Sequence, residues 1–355
     1  MKHSVLHSVW LGKVTALAVC GLLVPTLGSA KDLVPRGHSA FPSFIPFNAS
    51  PEGVAVDKVG NVYVSVNVAS GSDQIWKFAP SGAKSVLVDF GAPGYACGLA
   101  VDALGKVYMA RPLVPVRGVF RVGPDGDAVL VSGTEQILFP DALAFDQRGT
   151  LYVTETFSID PSSGAFDKGG IWRVPKGGTA ELWLRDDLLT GLDPFLFPFP
   201  VGANGIAFYH GDLYVINTDK ALVVRVPVRP DGSPGQPEVW KQVQDVLESP
   251  FYQSPFFPVM LDGLALDVHG NVYIAVPSRS AIVRINADNR SQETVAVYPD
   301  VPLDAPLSLA FGTGKGERES IFVTNSGMNG RFLPGTWPGP GLVKIQVGIP
   351  GLPLP

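Results

Sequence analysis

Residues 52–66 read EGVAVDKVGNVYVSV, an apolar stretch, a turn carrying Asp57 and Gly60, and a second apolar stretch with the pair Val62 and Tyr63. The unit returns as CGLAVDALGKVYMAR from Cys97, DALAFDQRGTLYVTE from Asp141, NGIAFYHGDLYVIN from Asn204, DGLALDVHGNVYIAV from Asp262 and LSLAFGTGKGERESIFVTN from Leu307. The six starts lie 45, 44, 63, 58 and 45 residues apart. A third element follows each copy: IWKF at Ile75, VFRV at Val119, IWRV at Ile171, VVRV at Val223, IVRI at Ile282 and LVKI at Leu342. Apolar, apolar, basic, apolar is the pattern of a half-buried strand that sends one side chain to solvent. Fourth strands, such as SVLVDF from Ser85 and AELWLRD from Ala180, come after Gly-containing turns such as Pro124-Asp125-Gly126 and Pro230-Asp231-Gly232.

Four antiparallel strands repeated at this period are propeller blades, because one small sheet cannot bury both faces and must stack on its neighbours. The expected fold is all-β, a six-bladed β-propeller in one domain over residues 31–355, in preference to a β-sandwich. The sixth copy runs out after LVKI into proline-rich sequence. The segment from Ser39 to Phe47 is therefore expected to supply the missing outer strand and close the ring.

The forty glycines and thirty-three prolines among 355 residues suit short strands and tight turns. A net charge of -5 gives no basic surface for a phosphate backbone, so nucleic acid is not expected as a partner. Lys2 and Lys13 precede or open the apolar stretch from Val14 to Leu27, which ends in the small residues Gly28 and Ala30. This reads as an export signal over residues 1–30, with a periplasmic or extracellular destination and no transmembrane anchor. Cys20 lies in that signal and only loosely fits a lipoprotein site. Cleavage would leave Cys97 as the sole cysteine, so no internal disulfide is expected.

If the first strand of each copy is innermost, the first residues of the six copies ring the central axis at one face. That column reads Glu52, Cys97, Asp141, Asn204, Asp262 and Leu307. Three converging carboxylates repel one another unless a cation neutralises them. Oxygen donors from Glu52, Asp141, Asn204 and Asp262 favour a hard ion, Ca²⁺ first and Mg²⁺ or Mn²⁺ next. The alternative is that these residues cap strands or bond to the next blade. The second strands end on the same face, offering Arg111, Glu155, Asn217 and Asn325 as substrate-binding candidates or solvated edge residues. The longest insertions, Thr156 to Gly170, Asp186 to Ala203 and Val243 to Met260, also belong there. The latter two carry Phe195, Phe197, Phe199, Phe251, Tyr252, Phe256 and Phe257. They form either a mouth for an apolar or ring-shaped ligand, satellite cores or a partner surface.

His210 and His269 fall in far-face turns, so no histidine is expected at the centre. Asp262 or Asp141 is left as the proton acceptor beside a metal. Cys97 has no histidine partner and reads as a small buried thiol. There is no phosphate-binding glycine loop and no GxSxG elbow.

Glu52-Gly53 in the first copy, Asn204-Gly205 in the fourth and Asp262-Gly263 in the fifth carry a resemblance to the regucalcin, gluconolactonase and luciferin-regenerating enzyme family, related to the paraoxonases and diisopropyl fluorophosphatase. The resemblance spans about residues 41 to 346. It implies a six-bladed propeller holding a divalent cation, with Asp141 at a further ligand position, and calcium-dependent hydrolysis of a lactone or related ester as small-molecule substrate. The paraoxonase-like histidine pair has no counterpart, and the aromatic insertions are unlike a pocket for a polar sugar lactone. A calcium-stabilised binding module and a metal-free enzyme resembling strictosidine synthase remain alternatives, since fold alone does not separate them.

Overall fold

The structure is a computed structural model describing residues 41–69, 71–113, 115–192, 197–252, 257–332 and 335–354. The export signal read over residues 1–30, with Cys20, lies outside the described residues. Six four-stranded antiparallel sheets form the blades of a β-propeller. Their inner strands are Ser50–Val56, Leu99–Val101, Pro140–Phe145, Ala203–Tyr209, Leu264–Leu266 and Pro306–Phe311. Each inner strand contacts those of both neighbouring blades, and the sixth contacts the first, so the ring is closed. The second strands are Val62–Asn67, Val107–Arg111, Leu151–Glu155, Asp212–Asn217, Val272–Val276 and Ser320–Asn325.

The Asp, Gly and Tyr of the repeat have one shared explanation. The Asp57 carboxylate accepts the backbone N–H groups of Val59 and Asn61, and Asp102, Asp146 and Asp267 do the same at two and four residues on. Gly60, Gly105, Gly149 and Gly270 supply the positive φ, between 79° and 89°, that these turns need. The second-strand tyrosines Tyr63, Tyr108 and Tyr273 donate their hydroxyls to the same turn aspartates at 3.0, 3.2 and 3.3 Å. Each tyrosine thus buries its ring between blades while its polar end fixes the far-face turn. The basic residue of the third strand meets an acid of the outer strand in Arg173–Glu181, Arg225–Glu238 and Arg284–Glu293.

The apolar residues form cores that cross from blade to blade. One joins Tyr63 and Ile75 of blade 1 to Leu99, Val107 and Met109 of blade 2. Another joins Tyr152 of blade 3 to Ile206, Leu213 and Val224 of blade 4.

The expected closure is present. Phe44–Pro46 is the outer strand of blade 6, with Phe44, Ile45 and Pro46 opposite Val343, Leu342 and Gly341 of Gly341–Gln346. Bonds from Phe47 N to Pro340 O and from Lys344 N to Ser43 O extend the seam. The proline-rich tail adds a second tie that the repeat does not announce. It crosses from blade 6 to the far-face turn of blade 5, where Val268 N donates to Pro350 O at 3.0 Å and Leu352 N to Leu266 O at 3.3 Å. Among the described residues no helix is long and apolar enough to cross a membrane.

Candidate metal centre

The hub is built by a backbone irregularity placed where the repeat begins. The inner strands of blades 1, 3, 4 and 6 shift register between Pro51 and Val54, Pro140 and Leu143, Ala203 and Ile206, and Pro306 and Leu309. A bulge re-aims a side chain and frees a backbone N–H. The second strand supplies the acceptor: Gly53 N donates to Ser65 Oγ at 2.7 Å, Ala142 N to Thr154 Oγ1 at 2.9 Å and Ser308 N to Thr324 Oγ1 at 3.0 Å. That accounts for one hydroxyl within each otherwise apolar run VYVSV, LYVTE and IFVTN. Two of these hydroxyls also tie blades together, Ser65 Oγ donating to Cys97 O at 2.6 Å and Thr324 Oγ1 to Glu52 O at 2.5 Å. In blades 2 and 5, where Ala110 and Ala275 occupy the matching place, Gly98 N donates to Asp141 O and Gly263 N to Leu307 O.

The glycine after Glu52, Cys97, Asn204 and Asp262 follows from this crowding. A Cβ on Gly53 would stand 2.6 Å from Cys97 O, on Gly98 2.7 Å from Asp141 O, on Gly205 2.5 Å from Asp262 O and on Gly263 2.8 Å from Leu307 O. Each contact is with backbone of the next blade, so the Glu-Gly, Asn-Gly and Asp-Gly pairs are read at the narrowest part of the ring.

Glu52, Cys97 and Asp141 bring a ligand atom each to within 4.8 Å of one another, and all three are buried. Burial, then the charges of Asp141 and Asp262, hold the Glu52 carboxyl well above the usual carboxylate range. Burial likewise pushes Asp141 up to about 6, although hydrogen bonding from Thr156 and Cys97 works against it. Burial of its carboxyl, then the charge of Asp141, also raises Asp262 well above the usual carboxylate range, although the residue as a whole is only half-buried. Among the described residues no lysine or arginine forms an ion pair with any of the three. Glu52 Oε2 is buried without a hydrogen-bond partner. An orphaned carboxylate oxygen beside two more acids is the arrangement that a bound cation would satisfy. The donor set therefore fits a divalent ion. The Asn204 side chain donates Nδ2 to Thr218 Oγ1 at 3.1 Å, leaving its carbonyl oxygen as the free end. Thr156 Oγ1 donates to Asp141 at 2.9 Å.

The second-strand ends lie near the loops of this face, and their side chains engage those loops. Arg111 forms a buried ion pair with Asp73 at 3.0 Å, donates to Ala92 O and packs over Phe90 and Phe120. Glu155 accepts from Leu138 N, Trp172 Nε1 and Arg185. Asn217 donates to Leu188 O and Thr190 O, and Asn325 to Pro302 O. The corresponding Asn67 of blade 1 also holds a loop, through both polar atoms of Ala96.

Several neighbours of the hub escape sequence reasoning. Thr156 and Thr218 each follow a loop-holding residue, in Glu155-Thr156 and Asn217-Thr218, and that repeated pair was an available signal. Tyr95 lies in the connection between blades 1 and 2, outside the repeat. It adopts a left-handed φ of 60° that a bulky side chain rarely takes. Its ring is 45% exposed. Its hydroxyl nonetheless lies within electrostatic reach of Cys97, Glu52, Asp141 and Asp262, and confinement followed by those charges raises its pKa. Tyr95 is therefore a partly exposed residue whose hydroxyl is coupled to the hub acids.

The aromatic insertions form two groups. Phe157 packs against Phe139, Phe166 and Phe199 at centroid distances of 5.1 to 5.3 Å, and Phe199 stacks on Phe197 at 5.9 Å. Trp337 is stacked between Phe251 at 5.2 Å and Tyr298 at 4.6 Å. Phe195 and Phe256 lie outside the described residues. Tyr252 is exposed, and Phe257 contributes its carbonyl to buried Arg279. His210 and His269 occupy far-face turns as expected.

Residues 201–327, which include Asn204 and Asp262, match the family model described as the SMP-30/gluconolactonase/LRE-like region. No curated protein matches the chain. Among solved structures, a luciferin-regenerating enzyme is 16% identical with a TM-score of 0.61, covering 85% of this chain and 93% of its own. A gluconolactonase from Xanthomonas campestris is 18% identical with a TM-score of 0.59, covering 84% and 86%. A calcium-binding regucalcin from Agrobacterium tumefaciens is 17% identical with a TM-score of 0.61, covering 89% and 97%. These similarities extend the fold to nearly the whole chain and agree with the family resemblance carried by the hub residues.

Proposed function

We propose that this chain is an exported, metal-dependent hydrolase of a lactone or related ester, in which Glu52, Asp141, Asn204 and Asp262 hold a divalent cation. The observation that carries the reading is the uncompensated acid cluster at the hub, with Glu52 Oε2 buried and unpartnered. Its oxygen donors suit Ca²⁺, with Mg²⁺ and Mn²⁺ next. The similarity to a gluconolactonase and to a calcium-binding regucalcin supports the same class.

When bound, the cation would polarise the ester carbonyl and stabilise the developing oxyanion. Thr156 and Thr218 keep Asp141 and Asn204 oriented toward the axis. Asp262, the hub acid with most access to solvent, takes the proton of the attacking water. Tyr95 positions the substrate at the approach. The phenylalanines around Phe157 exclude water from one side and favour an apolar or ring-bearing acyl group over a polar sugar lactone. Arg111, Glu155, Asn217 and Asn325 serve the site by holding its loops.

Aromatic and aliphatic lactones offered to chelator-treated protein, with and without added Ca²⁺, test this directly. Ring opening that requires the ion and disappears in Asp262→Ala is expected. Opening that persists in both cases would remove the metal from the chemistry. The partly exposed aromatic groups favour a second reading, a calcium-stabilised binding module. Ion binding with no hydrolysis of any ester, and loss of a partner on trimming residues 197–199, would select it.

A further inference from the structure

Cys97 is the one hub residue with a metal-binding side-chain atom that the oxygen-donor reading does not use. It follows Glu52 and precedes Asp141 around the ring, and its sulfur lies within 4.8 Å of a carboxylate oxygen of each. A cysteine that only packs would face apolar neighbours on every side. This one has Ala100, Ala110 and Val119 in its core and two carboxylates at its polar end. The backbone around it is pinned: Cys97 N donates to Ala110 O at 3.0 Å, and Cys97 O accepts from Ser65 Oγ at 2.6 Å. The second, independent observation is Glu52 Oε2, nine-tenths buried and with no partner, in the same cluster.

We infer that the Cys97 thiolate is a ligand of the hub cation, making the site a mixed oxygen and sulfur centre that prefers a borderline ion of the Zn²⁺ or Co²⁺ kind over Ca²⁺. This inference rests on the metal reading of the hub and refines the ion. Hard Ca²⁺ takes oxygen donors, whereas a thiolate selects softer cations. The step is an exchange without oxidation: a sulfur–metal bond forms, the S–H bond breaks, and the thiol proton passes to the buffer along with any proton the hub carboxyls release. The ion keeps its charge.

The probe is Co²⁺ added to chelator-treated full-length protein in a Cys20→Ser background, where Cys97 is the only thiol. A sulfur-to-cobalt charge-transfer band in the near ultraviolet is expected, saturating at one ion per chain. Cys97→Ser should lose the band, and its Zn²⁺ affinity should fall by about tenfold or more while Ca²⁺ affinity, read by calorimetry, stays the same. Wild-type protein that binds Co²⁺ or Ca²⁺ with no charge-transfer band overturns the role of Cys97 and leaves the oxygen site standing. Wild-type protein that binds no divalent ion overturns both. The band is read on wild-type cysteine at position 97, so a poorly folding variant does not obscure the result. Protection of the thiol from an alkylating reagent by Zn²⁺ but not by Ca²⁺ gives a second measure.

Discussion

Asp141→Asn should stabilise the metal-free protein at neutral pH and weaken what a metal can add. Asp141 is buried, and its acidity is shifted from 3.8 to about 6 by that burial. A carboxyl raised in the folded state contributes stability that is present below its unfolded pKa and is lost as pH rises through the folded value. Roughly two pKa units at 1.36 kcal/mol each give about 3 kcal/mol withheld from the metal-free fold at about pH 7.5. Asparagine keeps the volume and can still accept the hydrogen of Thr156 Oγ1, which reaches Asp141 at 2.9 Å. It also removes one of the charges that raise Glu52 and Asp262. Urea melts in chelator should therefore favour the variant by about 3 kcal/mol at about pH 7.5, or roughly 5–10 °C in Tm, and by little at about pH 3.5. With saturating divalent ion the order should reverse. A variant less stable than wild type in chelator at both pH values, or a difference that does not change with pH, would refute the account of the hub as an acid cluster awaiting a cation.

Gly205→Ala should destabilise the chain by about 1–3 kcal/mol in chemical melts, because the new Cβ would meet Asp262 O of the next blade at 2.5 Å. Arg111→Met should cost about 3–5 kcal/mol by leaving Asp73 charged and buried without its partner; a loss under 1 kcal/mol would release Arg111 from the anchoring role. Tyr95→Phe should leave Tm unchanged and raise KM for a hydrolysed lactone several-fold. Unchanged KM would remove Tyr95 from the substrate's path. Phe199→Ala should lower kcat/KM for aromatic lactones by about tenfold and for short aliphatic ones by much less, as expected for loss of one ring face worth about 1 kcal/mol or more.

The architecture was legible because the strand–turn–strand pattern returns in all six blades. The turn aspartate and its positive-φ glycine recur at fixed offsets in blades 1, 2, 3 and 5, and the tyrosine that reaches back to the turn in blades 1, 2 and 5, so several weak signals became one strong one. The hub was legible for a similar reason: close contact with the backbone of the next blade favours a glycine after the ligand position, leaving Glu52, Asn204 and Asp262 marked in sequence. What the repeat could not carry lies between its copies. Tyr95 sits in a connection with no counterpart in other blades, and the Phe251–Trp337–Tyr298 stack joins segments of three different connections or blades. Arg111, Glu155, Asn217 and Asn325 were placed on the expected face by strand alternation. Strand alternation does not say whether a long side chain turns inward to the axis or outward to a loop, and the loops offered backbone carbonyls, amides and an acid that each of them meets.

The seam between Phe44–Pro46 and Gly341–Gln346 joins the two most distant parts of the described chain. During synthesis the first of these leaves the ribosome early and its partner emerges last, so five blades can assemble while this strand waits as an exposed edge. A waiting edge invites the blade 6 of another copy to adopt it, which would link two rings by exchange of one strand. The segment is only three residues long and carries Pro46, with Pro42 just before it, so it offers few donors to a stranger. Its brevity disfavours adoption by another copy, and lengthening it would be the simplest way to promote strand exchange between two rings.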